Sequence, residues 1–314
     1  MSAQTTSAQI QAQAAPSYTT WQPRRPRTSS TASASYSDNS DPDFFPNHST
    51  NTSTSTTTTT TIPLDPSSIY PNGRKSLSAI SLRAFALGTS LGLSTSLTIY
   101  LAFAPGSNSP TWRLPFFITS LSLFHFLEFF ITAHYNTAAA TVSSFLLSSN
   151  GWAYNAAHGS ALLECTLRLW LWPSSSSSSP SSTTSSVGLS PSSICVVLGL
   201  LLVILGQITR SLAMAHAAAN FNHHVQSRHK DGHVLVTSGV YAVLRHPSYF
   251  GFFWWGLGTQ LVLGNFVCFV LYAAVLWKFF ASRIRTEESF LINFFGDDYV
   301  QYKKNTRVGI PGIA

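Results

Sequence analysis

Arg245-His246-Pro247-Ser248-Tyr249-Phe250-Gly251 opens a stretch that carries no charge until Lys278, and Arg283-Ile284-Arg285-Thr286-Glu287-Glu288 closes it. A bilayer core takes roughly 20 apolar residues per helix. Tyr249–Phe280 is too long and too apolar for one simple span. Gly264-Asn265 sits near its middle and is a turn signal, so the stretch predicts a tight hairpin of two helices. Polar and cationic groups crowd both ends of this lipid-compatible segment. Polar chemistry beside a bilayer is costly and usually functional, which makes these ends the candidate site.

Working outward, four further segments read as spans: Ala84–Ala104, Leu114–Ala133, Trp152–Trp172 and Ser193–Ala215. The third is the weakest, because Glu164 and Arg168 interrupt it. Four residues apart, they can pair on one helix face. The second span holds His125 and Glu128, and the fourth holds Arg210 near its end. Counting the hairpin, about six spans result, an all-α polytopic transmembrane protein with both termini on one side. Arg74, Lys75 and Arg83 precede the first span. Arg210, Arg228, Lys230 and Arg245 flank the fourth-to-fifth connection, and Arg283, Arg285, Lys303, Lys304 and Arg307 lie at and beyond the last exit. The opposite loops are nearly free of Lys and Arg, apart from Arg113. The positive-inside rule therefore makes the termini and the His-rich loop cytosolic.

Only 9% of the 314 residues are charged, and mean hydropathy is +0.15. That average hides two regimes. Residues 1–75 are Ser/Thr-rich and lack the apolar surface to offset the entropy of ordering, which reads as a disordered cytosolic tail. Residues 76–215 hold the first four spans, and 216–314 form the candidate catalytic region. The Ser/Thr-rich segment 174–186 reads as a flexible linker. The first residues hold no apolar h-region, so no cleavable signal peptide is expected. The formal charge of +7 fits loops facing anionic lipid rather than nucleic acid. Cys165, Cys195 and Cys268 lie in apolar segments with no pairing pattern, and read as inert buried thiols.

Arg283 and Glu287 share one side of a helix if the last span continues past the membrane face. On spacing alone they are equally a surface ion pair. His233 and His246 belong to no cluster with metal-ligand spacing. Tyr241 and Tyr249 suit interfacial anchoring as well as ligand contact. No Gly-x-Gly-x-x-Gly, Walker sequence or Gly-x-Ser-x-Gly is present.

The order of these motifs resembles that of the isoprenylcysteine carboxyl methyltransferases. The resemblance rests on Asn222-His223-His224-Val225-Gln226, Leu235 through Tyr241, Arg245-His246-Pro247-Ser248-Tyr249-x-Gly251, Gly258-Thr259-Gln260, Arg283-x-x-x-Glu287-Glu288, Phe294-Phe295-Gly296-x-x-Tyr299 and Tyr302-Lys303-Lys304. Upstream, His134-Tyr135-Asn136, Ser144 through Gly151, Ala157-His158 and Leu163-Glu164 fit as well. It covers roughly 113–312 and fails in the tail and the Ser-rich insert. It implies methylation, from S-adenosylmethionine, of the free carboxylate of a C-terminal prenylated cysteine in processed CaaX proteins, at the endoplasmic reticulum. It also implies a methyl-donor site of Gln226, His233, Val234, Leu235, Val236, Tyr241, His246, Pro247, Ser248, Tyr249 and Glu287, with Arg283 meeting the substrate carboxylate. Phospholipid N-methyltransferases and NADPH-dependent sterol reductases carry similar C-terminal elements and are the competing expectations. An amine acceptor has no need of Arg283, and the reductases are generally longer.

Overall fold

The computed structural model describes residues 65–105, 110–171, 190–229 and 232–314. The expected disordered tail lies outside them except for its last residues, and the Ser/Thr-rich linker lies outside them entirely. Among the described residues there are seven α-helices and no strand. They are α1 (Leu77–Phe103), α2 (Arg113–Tyr135), α3 (Gly151–Leu171), α4 (Pro191–Ala217), α5 (Pro247–Leu263), α6 (Val267–Phe295) and α7 (Asp297–Asn305). The chain is a polytopic membrane protein. Helices α1, α2, α4 and α6 are long and apolar enough to cross a bilayer. Helix α3 carries Glu164 and Arg168, and the 17 residues of α5 span only about 25 Å. The count of six expected spans includes these two.

Local chemistry sets the helix starts. The Ser76 hydroxyl accepts the Ala79 amide N–H at 3.3 Å and caps α1. Ser190 caps α4, with Pro191 in the first turn, where its missing N–H loses nothing. Pro247 opens α5 in the same way.

The expected hairpin is present, and Gly264 closes α5 in the left-handed region at φ 72°. Glu164 and Arg168 do not pair with each other. The Glu164 carboxylate accepts the Phe266, Val267 and Cys268 amide N–H groups at 2.7–2.9 Å, capping α6. Arg168 donates to the Gly264 carbonyl, and Arg113 to Leu263 O at 3.3 Å. Anions suit helix N-termini and cations suit C-termini, so the two helix ends at the turn draw the side chains apart.

Helices α4 and α5 cross with their backbones almost touching. A Cβ on Gly206 would lie 2.6 Å from the Gly251 carbonyl oxygen, and one on Gly258 would lie 2.8 Å from that of Gly199. Lipid gives helices little hydrophobic drive to associate, so small residues that admit close van der Waals packing decide the seam. Beside it Phe124 packs on Trp255, ring centroids 4.7 Å apart. A second apolar core joins Phe117, Phe253, Leu257, Phe280 and Ile284. The outward faces of α1 and α4 expose Phe85, Leu93, Leu201 and Leu205, as lipid contact requires. Cys165 and Cys268 are buried as expected, whereas Cys195 sits exposed near the start of α4.

Candidate active site

At the open end of the α5–α6 hairpin a cavity forms where five segments meet. Ala217, Asn220, Phe221 and Asn222 come from the exit of α4, and His233–Val236 from the connection that follows. Tyr241 and Arg245–Tyr249 form the approach to α5. Glu287, Leu291 and Phe295 come from α6, and Tyr299 and Tyr302 from α7. Among its described residues the stretch 221–238 lacks helix, so side chains anchor it and its ends. Asn220 Oδ1 accepts the Val234 N–H at 3.0 Å, and His216 Nδ1 accepts the Val240 N–H at 3.2 Å. The Tyr241 hydroxyl donates to Ala213 O at 3.3 Å, and the Tyr302 hydroxyl to Tyr241 O at 2.7 Å. Burial pushes the Tyr302 phenol up to about 12. Burial, with the Glu287 charge nearby, raises that of Tyr241 as well. Both therefore stay neutral donors at physiological pH.

Of the donor-site residues named from the sequence, His233, Val234, Leu235, Val236, Tyr241, His246, Pro247, Ser248, Tyr249 and Glu287 line this one cavity. Gln226 lies outside its lining and donates to His224 O at 3.2 Å. Arg283 also lies behind the lining, but is joined to it. Its Nε donates to Tyr249 Oη at 2.8 Å and its Nη2 to His223 O at 2.5 Å. The guanidinium rests on the Tyr249 ring, 5.3 Å from the centroid. Tyr249 Oη donates in turn to Glu287 Oε2 at 2.5 Å. Arg283 and Glu287 are thus not the surface ion pair that their spacing permits, because a phenol stands between them.

Two other arginines sit close by, each paired with a buried carboxylate. Arg210 holds Glu128 in a two-bond grip and donates to Ser248 Oγ at 3.0 Å. Its cation also lies over the Phe124 and Phe252 rings. Arg245 Nε donates to Glu288 Oε1 at 2.6 Å, and Lys303 joins the same carboxylate at 2.5 Å. Arg245 Nη1 also donates to Thr306 O, and its main-chain N–H donates to Arg307 O at 3.0 Å, clamping the final segment against the site. Such pairs are expected, since an isolated buried charge is far costlier than a paired one. Arg283 is the exception: its hydrogen-bond partners are the neutral Tyr249 and His223 oxygens.

The sequence names no partner for Glu128, and Asn220, Asn222, Leu291, Phe295 and Tyr299 are cavity residues beyond the donor set expected from it. An intramembrane charge was the one available signal for Glu128. Its partner lies 82 positions along the chain.

A profile of the isoprenylcysteine carboxyl methyltransferase family matches residues 197–293. The protein-S-isoprenylcysteine O-methyltransferase of Saccharomyces cerevisiae is 45% identical over 245 residues, which are 78% of this chain and 95% of the yeast protein. This chain belongs to the isoprenylcysteine carboxyl methyltransferase family. The human family member is 41% identical over 234 residues, covering 74% of this chain and 75% of its own. Among solved structures, the fold matches that of a family member described as the eukaryotic intramembrane Ras methyltransferase. The TM-score is 0.63 at 33% identity, over 75% of this chain and 77% of that one. The profile runs from the α4–α5 seam through Arg283, Glu287 and Glu288, so the cavity walls fall mostly within it.

Proposed function

We propose that this chain esterifies the α-carboxylate of C-terminal S-prenylated cysteine in CaaX-processed proteins, with S-adenosylmethionine as methyl donor. In this reading it does so in the endoplasmic reticulum membrane, through six spans with both termini cytosolic. The observation that carries the reading is Arg283. Beside two arginines neutralised by glutamates, it faces Tyr249 Oη and His223 O, leaving its charge for an incoming anion. A guanidinium fork matches the two oxygens of a carboxylate.

The cavity suits the donor. Glu287 supplies a half-buried carboxylate, Tyr241, Tyr249 and Tyr299 supply aromatic faces, and Val234–Val236 an apolar wall. Aromatic faces and carboxylates suit a sulfonium-bearing nucleoside. S-adenosylmethionine supplies an electrophilic methyl group. The residues then orient rather than activate. An α-carboxyl group has a pKa of about 3.5, so the acceptor is already an anion and needs no general base. His233 and His246 are accordingly binding residues. Arg283 offsets desolvation of the acceptor carboxylate and points one oxygen toward the cavity. Alignment of two reactants contributes several kcal/mol, up to about 7–11 in favourable cases.

The test follows labelled methyl from S-adenosylmethionine to N-acetyl-S-farnesylcysteine in membranes holding the chain, with Arg283→Ala as control. Base-labile label that the variant loses is the expected result. Cofactor binding without transfer to this acceptor overturns the choice of acceptor.

A further inference from the structure

Glu128 lies in α2 and does not line the cavity, yet its two oxygens tie two of the cavity walls together. One side of the tie is Arg210, which Glu128 grips and which donates onward to Ser248 Oγ at 3.0 Å and Ser248 O at 3.3 Å. The first turn of α5, with Tyr249 next in the chain, is thus held from inside the bundle. The other side is His223, whose Nε2 bonds Glu128 Oε2 at 2.9 Å. The main-chain oxygen of this same His223 accepts Arg283 Nη2 at 2.5 Å. His223 therefore links Glu128 to Arg283, its ring on one and its carbonyl on the other. The ring is also set edge-on against Phe221, centroids 5.2 Å apart.

His223 belongs to a connection without regular structure, where nothing in a helix or sheet fixes the direction of a carbonyl. The bond from its ring to a carboxylate only 1% exposed supplies that constraint. Arg283 needs it, because a guanidinium on a long, rotatable stem has many orientations until its donors meet acceptors at fixed points. Tyr249 Oη and His223 O are those two points. Both trace back to Glu128, one through Arg210 and Ser248, the other through the His223 ring.

We propose that Glu128 and the His223 side chain are positioning residues for Arg283, setting the direction in which its guanidinium meets the acceptor carboxylate. This rests on the reading of Arg283 as the acceptor site. Neither group touches the reacting atoms.

The test uses four full-length proteins in lipid nanodiscs: wild type, His223→Ala, Arg283→Lys and the double variant. His223→Ala keeps the carbonyl and removes its anchor. The first measurement is the thermal midpoint without cofactor or acceptor. Coupling is expected, with the double variant falling short of the summed single shifts by at least about 2 °C. Additive shifts overturn the proposal. The second is kcat/KM for N-acetyl-S-farnesylcysteine at saturating S-adenosylmethionine. His223→Ala should lose about tenfold in the wild-type background and under about threefold in the Arg283→Lys background. Equal losses in both backgrounds, or a matching loss of S-adenosylmethionine affinity, overturn it. His223→Gln, whose amide still reaches Glu128, should recover most of the rate. A purely steric role for the ring predicts no such rescue. Glu128→Gln strands a buried Arg210 cation and threatens folding, so the His223 variants carry the test. If wild type transfers no methyl to this acceptor, the proposed function fails, and the thermal cycle alone decides the link.

Discussion

The two ends of the α5–α6 hairpin treat charge in opposite ways. At the turn, Glu164 meets three amide N–H groups at the start of α6, while Arg168 and Arg113 meet the last carbonyls of α5. Each of these charges faces a helix terminus of opposite sign. At the open end, Arg283 and Glu287 stand one helical turn apart with the Tyr249 hydroxyl between them. Both ends use arginine and glutamate four positions apart, so residue type and spacing do not tell them apart. The partner does: at the turn each charge meets the backbone of a helix terminus, whereas at the open end the two share the Tyr249 hydroxyl beside a cavity.

The sharpest way to break this contrast is Arg283→Ala. Methyl transfer should fall by about a thousandfold or more, while S-adenosylmethionine affinity stays within about threefold. Retained transfer would leave the two ends functionally alike. Next comes Glu288→Ala, which leaves the Arg245 cation buried and unpaired. It should destabilise the fold by about 3–5 kcal/mol, read as a lowered unfolding midpoint in lipid. An unchanged midpoint would mean that Arg245 is not a structural charge. Glu287→Ala should weaken S-adenosylmethionine binding by about tenfold to a hundredfold, the loss of one or two charge-assisted bonds. Equilibrium binding measures it, and an unaltered Kd would move the donor away from this carboxylate. The smallest effect belongs to Glu164→Ala. Losing the α6 cap should cost about 1 kcal/mol of stability with kcat untouched, and a kinetic defect would show that the turn end reaches the chemistry.

The hairpin was legible because its evidence is local: a long apolar run interrupted by Gly264-Asn265. The clustering of site residues was legible through motif order, and one cavity gathers ten of the eleven named for the donor. Long-range partnership was not. Glu128 read as an intramembrane charge with no named partner and Arg210 as a basic residue at the end of its span, since nothing in a 3.6-residue period reports a partner on another helix. Glu164 and Arg168 read as a pair for the converse reason. Their spacing satisfies a local rule, and a helix terminus brought close by folding competes better for both. Arg283 read as either ion pair or ligand site because the phenol that separates the alternatives enters from α5.

The glycine seam between α4 and α5 has a mechanical consequence. Gly199 and Gly206 bring the backbone of α4 against Gly258 and Gly251 of α5, a contact that favours the two helices tilting as one body when the bilayer thins or thickens. Arg210 and Ser248, bonded at the cavity end of that seam, ride with it. A seam of this kind keeps the spacing between the α4 exit and the start of α5 tied to packing rather than to the hydrophobic thickness of the host membrane.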